Sequence, residues 1–268
     1  MNKHQIKWSN FYLVFMFLVL YAPILYLIVY SFNAGGDMNE WTGFTLEHYV
    51  SVFGDTRLMV FILNTFILAL LSALIATIIG TFGAILIYYL RKKSRRQLLL
   101  NLNNILLVTP DVMIGASFLI LFTVWLPVKL GFFSVLLAHI AFNVPIVVLM
   151  VLPRLYEMND TMVTAAQDLG ASHRQIMTRV ILPSISSGIF AGFFMAFTYS
   201  LDDFAVTFFV TGNGFGTLAV EIYSRARQGI SLEVNAISAL MFLLSLALVV
   251  GYYFIQTQEQ RRKQGMVK

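Results

Sequence analysis

The chain contains no cysteine and has few charged residues. Only 12% of its 268 residues are Asp, Glu, Lys or Arg, whereas a soluble domain carries roughly 25%. The lack of cysteine excludes disulfide bonds and thiolate metal sites. Hydrophobic residues make up 59% of the chain. The composition therefore predicts a protein that is embedded in a lipid bilayer.

Long runs without charged residues mark the candidate membrane spans, because a helix needs about 20 apolar residues to cross a bilayer. Five runs carry no charge, and a sixth is interrupted by Asp111 alone. The runs are Phe11–Phe32, Leu58–Leu90, Leu98–Val128, Leu130–Pro153, Val180–Leu201 and Val234–Gln258. We therefore predict an all-α membrane protein with six transmembrane helices, organised as one polytopic domain over residues 1–268.

A further uncharged stretch, Phe204–Val220, is not predicted to span the membrane. It contains Gly212, Gly214 and Gly216, and glycine is unfavourable in a helix that faces lipid. We expect a re-entrant or external segment that packs against protein.

The distribution of Lys and Arg predicts the orientation of the spans. With six spans and a cytoplasmic N-terminus, fourteen of the 18 basic residues fall in cytoplasmic segments, as the positive-inside rule requires. The external ones are Arg57, Lys129, Arg225 and Arg227. Both termini are therefore predicted to be cytoplasmic. The basic residues flank apolar segments beside membrane lipid, so they indicate no nucleic-acid partner.

A polar segment at about residues 154–180 follows the fourth span. Thr161 is a candidate N-cap for a short helix that ends at Gly170, and Ser172 is a candidate N-cap for a second helix. Composition alone leaves two interpretations open. The segment either lies on the lipid headgroups or forms a knob that docks into another protein.

The spacing in this segment resembles the EAA loop of ABC importer permeases, which reads E-A-A, three residues, Gly, nine residues, I-x-L-P. Five residues match it, while Thr164 replaces the Glu and Val180 replaces the Ile. The resemblance implies the architecture of a type I importer permease and a cytoplasmic loop that enters a cleft of a separate ATPase. The residues it assigns to ATPase coupling are Thr164, Ala165, Ala166, Asp168, Gly170, Ala171, Leu182 and Pro183.

Three more segments, TPDVMIGASFLILF (109–122), SLDDFAVTFFVTG (200–212) and VNAISALMFLLSLALV (234–249), resemble the second permease subunit of spermidine/putrescine importers. This resemblance implies a multi-pass protein of the bacterial inner (plasma) membrane. Its implied partners are a homologous sister permease, an ATP-binding cassette ATPase dimer and an extracellular or periplasmic polyamine-binding protein. The alternative is a permease of the same type for another small cationic or amino-acid-like solute.

No enzymatic activity and no cofactor are expected for this subunit. The sequence has no glycine-rich phosphate loop, so ATP would be bound by the partner ATPase. An ion-coupled secondary transporter or channel is the rival from a different class, and it leaves the loop pattern unexplained.

Three acidic residues are predicted to line the substrate path: Asp111, Asp202 and Asp203. An ionised side chain within a bilayer costs at least ~2.5–3.5 kcal/mol unless it faces protein or water. Asp111 also fits the start of a helix after Pro110. The Asp202–Asp203 pair also fits an exposed cap or an ion pair with Arg225 or Arg227.

Other polar and aromatic residues near these acids are predicted to pack rather than to bind substrate. His139 lies in the middle of the fourth span, where a hydrogen-bonded packing residue is the favoured interpretation over a ligand or proton relay. Aromatic residues such as Tyr199 are common in membrane helices, so none is assigned a substrate role.

Overall fold

The computed structural model describes residues 3–228 and 231–265. Within these ranges the chain is helical, and its only β-type pairing is an isolated bridge between Asn33 and Phe44. The extreme termini, whose cytoplasmic location is predicted, lie outside the described residues.

The helices follow one another along the chain, and the longest connection, over residues 31–46, lies between α1 and α2. They are α1 (Lys3–Tyr30), α2 (Glu47–Gly54), α3 (Thr56–Tyr89), α4 (Lys93–Val108), α5 (Asp111–Ile120), α6 (Phe132–Glu157), α7 (Asp160–Asp168), α8 (His173–Ile176), α9 (Leu182–Ser184), α10 (Ser186–Leu201), α11 (Ala205–Val210), α12 (Leu218–Gln228) and α13 (Leu232–Gly265). A π-helical turn over Leu121–Trp125 extends α5, and another over Met177–Ile181 joins α8 to α9.

Four of these helices contain an apolar stretch long enough to cross a membrane. They are α1 (over Asn10–Tyr30), α3, α6 and α13 (over Leu232–Gly251). Two bent pairs, α4 with α5 and α8–α9 with α10, bring the number among the described residues to six if each pair is one span. The upper number agrees with the six predicted spans.

The third predicted span, Leu98–Val128, is not one straight helix. Its two halves, α4 and α5, are bent by 106°. Pro110 explains the break, since it has no N–H to donate and holds the residue before it in an extended conformation. Thr109 accordingly has φ −77° and ψ 132°. α5 begins directly afterwards at Asp111, so the predicted helix start is confirmed.

The described helices form two compact units. One runs from Phe61 to Glu221, and the other combines the chain up to Val60 with the chain from Ile222. The single-domain organisation stays a prediction.

The Phe61–Glu221 unit is built around α6, which packs on α10, while α11 packs on α5. Its core contains Leu68, Ile114, Phe122, Val135, Ala138, Phe142, Val206 and Val210. Gly115 sets the distance between α5 and α11, because a Cβ there would lie 3.1 Å from the carbonyl oxygen of Ala205. Close approach of this kind is typical of helix pairs in membranes.

The unit formed by the chain ends contains α1, α2, most of α12 and all of α13. α1 and α2 both pack on α13, and Asn33 holds the loop before α2 through bonds to the carbonyls of Asp37 and Glu40. Arg225 donates to Asp55 at 2.9 Å and to Glu233 at 3.4 Å. The Arg225 guanidinium beside Asp55 holds the pKa of that carboxyl below its ordinary value.

The glycine-containing stretch Phe204–Val220 is not a seventh span, as predicted. It forms the six-residue helix α11, a turn and the start of α12. Gly212 and Gly214 have φ of 61° and 96°, which only glycine adopts easily. Buried residues of α11 confirm that the stretch packs against protein.

Candidate functional site

A cavity of about 190 Å³ lies beside Asp111, among α4, α5, α6 and α10. The Asp111 side chain begins α5 and is exposed. The Tyr199 hydroxyl donates to Asp111 Oδ1 at 3.4 Å, and the Tyr199 ring meets Phe142 edge to face with centroids 5.7 Å apart. The site therefore combines an accessible carboxylate with aromatic walls.

Asp202 is a second exposed carboxylate. It follows the last residue of α10, and it lies within electrostatic range of both Asp111 and Asp203. Because like charges at this range repel, a cation between Asp111 and Asp202 would be bound favourably. The structure thus brings the predicted acids together, although they are about 90 residues apart in the chain.

Asp203 differs from the other two acids because its side chain is only 5% exposed. Its carboxylate accepts hydrogen bonds from the backbone N–H of Val206 and from both the N–H and the hydroxyl of Thr207. These contacts cap the start of α11. The contacts of Asp203 are therefore those of a helix cap. Its predicted place in the substrate path stays a prediction.

Arg225, one of the predicted ion-pair partners for these acids, donates instead to Asp55 and Glu233, as described above for the unit formed by the chain ends.

A buried chain of hydrogen bonds runs through His139 to this cap. Ser72 Oγ lies 2.9 Å from Ser200 Oγ, which lies 2.5 Å from His139 Nδ1. His139 Nε2 lies 2.9 Å from Thr207 Oγ1. Since the Thr207 hydroxyl donates to Asp203, its oxygen accepts from His139 Nε2–H, and Nε2 also lies 3.4 Å from Asp203 Oδ2. The chain joins α3, α6, α10 and α11.

The predicted packing role of His139 is confirmed, since the residue is fully buried and hydrogen-bonded. Sequence reasoning missed Ser72, Ser200 and Thr207. In the sequence, each of these residues is only a hydroxyl side chain within an apolar stretch. Such residues are so common in membrane helices that the sequence cannot show which of them form hydrogen bonds with one another.

The segment at residues 154–180 contains two short helices separated by a turn. Asn159, and not the predicted Thr161, caps α7: its side chain accepts the Thr161 N–H. Asn is the stronger capping residue, because it accepts this bond more readily than Thr does. Gly170, with φ 78°, follows the end of α7, and Ser172 caps α8. The predictions for Gly170 and Ser172 are confirmed.

The residues predicted to couple to an ATPase lie on or beside an exposed projection. Thr164, Ala165, Asp168, Gly170 and Pro183 are exposed, and Ala166, Ala171 and Leu182 are partly buried. Leu169, which the sequence pattern did not single out, is 88% exposed. An exposed leucine beside small residues is typical of a surface that binds another molecule.

Apolar spans, a carboxylate-lined cavity between helices and an exposed polar projection define a multi-pass membrane protein of the transport class. Over residues 76–264 the chain matches the family described as binding-protein-dependent transport system inner membrane component. It belongs to that family.

Two relatives from Escherichia coli (strain K12) carry more specific names. The spermidine/putrescine transport system permease protein PotC is 36% identical over 249 residues, covering 93% of this chain and 94% of the relative. The putrescine transport system permease protein PotI is 30% identical over 262 residues, covering 95% of this chain and 93% of the relative.

Solved structures support the fold. A chain of a bacterial ABC transporter involved in the import of alginate superimposes with a TM-score of 0.72 over 96% of both chains, at 18% identity. The predicted all-α architecture of a type I ABC importer permease is therefore confirmed.

Proposed function

We propose that this chain is a permease subunit of an ATP-driven importer for polyamines such as spermidine and putrescine. The relatives named for these solutes cover more than nine-tenths of the chain. The observation that carries the proposal is the exposed Asp111 carboxylate beside a cavity that also contains Tyr199, with the exposed Asp202 within electrostatic range of Asp111.

The chemistry of this cavity suits an extended polyamine. Separated ammonium groups would bind the two carboxylates, and the methylene groups between them would contact the Phe142 and Tyr199 rings. An aromatic face also attracts an ammonium group through cation–π contact. Asp203 would contribute indirectly, because its hydrogen bonds to α11 would hold the adjacent Asp202 in position.

The remaining parts of the transporter would be separate chains. A homologous sister permease would complete the path, a binding protein would deliver the solute from outside, and an ATPase dimer would bind and hydrolyse ATP. This subunit would need no cofactor. Both termini and the α7–α8 projection would lie in the cytoplasm, as the distribution of basic residues favours.

The projection is the proposed site of ATPase docking. Thr164, Ala165, Ala166, Asp168, Gly170 and Ala171 would enter a cleft of the ATPase together with Leu169. Leu182 and Pro183 would connect this projection to α10. The exposure of Leu169 supports this proposal, because docking would bury it.

The carboxylates provide the test of the substrate. Asp111→Asn and Asp202→Asn should each lower spermidine uptake by roughly tenfold or more, because each removes a charge-assisted contact to an ammonium group of the bound polyamine. Uptake of radiolabelled spermidine is measured in proteoliposomes that contain the whole transporter. Asp37→Asn, a change in the loop before α2, is the matched control and should transport at the parental rate.

Parental uptake by both the Asp111→Asn and the Asp202→Asn variants would contradict the carboxylate path. Competition separates the alternative solutes: unlabelled putrescine should suppress the uptake of labelled spermidine. Suppression by a cationic amino acid but not by putrescine would favour the alternative permease for amino-acid-like solutes.

A further inference from the structure

A side-chain hydrogen bond links α7 to the end of α3. The Tyr88 hydroxyl donates to Asp160 Oδ1 at 2.7 Å. Tyr88 is the second-last residue of α3, and Asp160 is the first residue of α7. α7 is joined covalently to α6 and α8, whereas α3 is distant in sequence. This bond therefore brings a third helix into contact with the projection.

The bond is anchored by an aromatic cluster on the permease side. The Tyr88 ring lies 5.5 Å from the Tyr156 ring near the end of α6. The Arg96 guanidinium of α4 lies 5.1 Å from the Tyr156 ring centroid and donates to the Tyr156 hydroxyl. The ends of α3 and α6 and the start of α4 are thus held together where Asp160 is bound.

The space around the bond is open. A cavity of about 520 Å³ lies beside it, bordered by Arg91 in the connection between α3 and α4 and by Val163 and Thr164 of α7. The hydrogen bond to the Asp160 carboxylate joins α7 to α3 at the edge of this open space. Hydrogen bonds to a carboxylate are among the stronger ones in proteins.

α3 also carries Ser72, the first residue of the buried chain that ends at Asp203. Ser72 and Tyr88 are separated by about 24 Å of helix at 1.5 Å per residue. A displacement of α7 that pulls on Tyr88 would therefore be passed along a rigid helix to the residues that hold α11.

We infer that the Tyr88–Asp160 hydrogen bond transmits movement of α7 to α3, and that Tyr88 and Asp160 are positioning residues for coupling. The inference rests on the proposed function, because it requires an ATPase that moves α7. It concerns the ratio of solute transported to ATP hydrolysed, and not the docking of the ATPase.

The experiment compares Tyr88→Phe, Asp160→Asn and the double variant in the whole transporter. Spermidine uptake and ATP hydrolysis are measured in the same proteoliposomes, and bound ATPase is quantified after purification. Tyr89→Phe, which changes the neighbouring tyrosine, is the control. Tyr88→Phe removes only the hydroxyl group and keeps the ring and its packing. It therefore tests the hydrogen bond even if Asp160→Asn impairs assembly of the transporter.

Each single variant should lower the uptake per ATP by at least about threefold, a conservative part of the effect of losing one hydrogen bond to a charged group. The double variant should resemble the singles, because both remove the same bond. ATPase binding should be unchanged, and Tyr89→Phe should match the parent.

A parental uptake-to-ATP ratio in Tyr88→Phe, or effects that multiply in the double variant, would overturn the inference while leaving the proposed function intact. Absence of ATP-driven uptake in the parent would instead overturn the proposed function.

Discussion

At the scale of single residues, three aspartates that the sequence groups together have different exposure and contacts. Asp111 and Asp202 are exposed, the first of them beside a cavity, whereas Asp203 accepts three hydrogen bonds and caps α11. The sequence predicts that all three are special, because carboxylates in apolar runs are costly. It cannot separate them, because exposure depends on which helices pack around each one.

Thr207 should contribute to stability through the chain that ends at Asp203. Thr207→Val keeps the shape but removes the donor to Asp203 and the acceptor for His139, so two buried groups lose a partner. Unfolding free energy should fall by about 1–3 kcal/mol, measured as thermal unfolding in detergent.

Thr123→Val is the control for this change, because the Thr123 hydroxyl bonds only to its own helix at Leu119 and is exposed. Its unfolding should match the parent. A Thr207→Val protein that unfolds at the parental temperature would show that the buried chain contributes nothing to stability.

At the scale of helices, the sequence predicted most helix ends, although Asn159 replaced Thr161 as the cap of α7. It did not predict the angles between helices. Gly170 and Ser172 each act through a known capping mechanism, and the end of α7 and the start of α8 fall where these two residues predict. Pro110 likewise ends α4. The bend of 106° at this point could not be predicted, because the direction of α5 is set by its packing on α11.

The packing of α5 on α11 should not tolerate a side chain at Gly115. A Cβ there would lie 2.7 Å from Phe209 Cδ2 and 3.1 Å from Ala205 O. Gly115→Ala should therefore lower the unfolding free energy by about 1–3 kcal/mol through overpacking, again measured by thermal unfolding in detergent.

Gly83→Ala in α3 is the matched control. Its Cβ would lie 3.7 Å from Val148 Cγ2, an ordinary contact, and alanine is the better helix former. Stability should be equal to or above that of the parent. If Gly115→Ala were as stable as Gly83→Ala, close approach of α5 and α11 would not depend on glycine.

At the scale of the whole molecule, the composition predicts a membrane protein. The long runs without charged residues predict six transmembrane spans, the higher of the two numbers that the structure allows. The spacing around Ala165, Gly170 and Pro183 predicts the family. The contacts that connect distant parts were beyond prediction, among them Tyr88 with Asp160 and His139 with Ser200 and Thr207. These residues meet only because their helices pack together, and a single sequence does not show which helices pack against one another.

The central claim is that a separate ATPase drives a polyamine through this subunit. The most direct measurement is accumulation of labelled spermidine in proteoliposomes that contain the whole transporter, with ATP supplied on the side of α7 and α8 and all ion gradients collapsed. The account predicts accumulation that requires ATP and stops when ATP is withdrawn. Accumulation that continues without ATP whenever an ion gradient is imposed would contradict it.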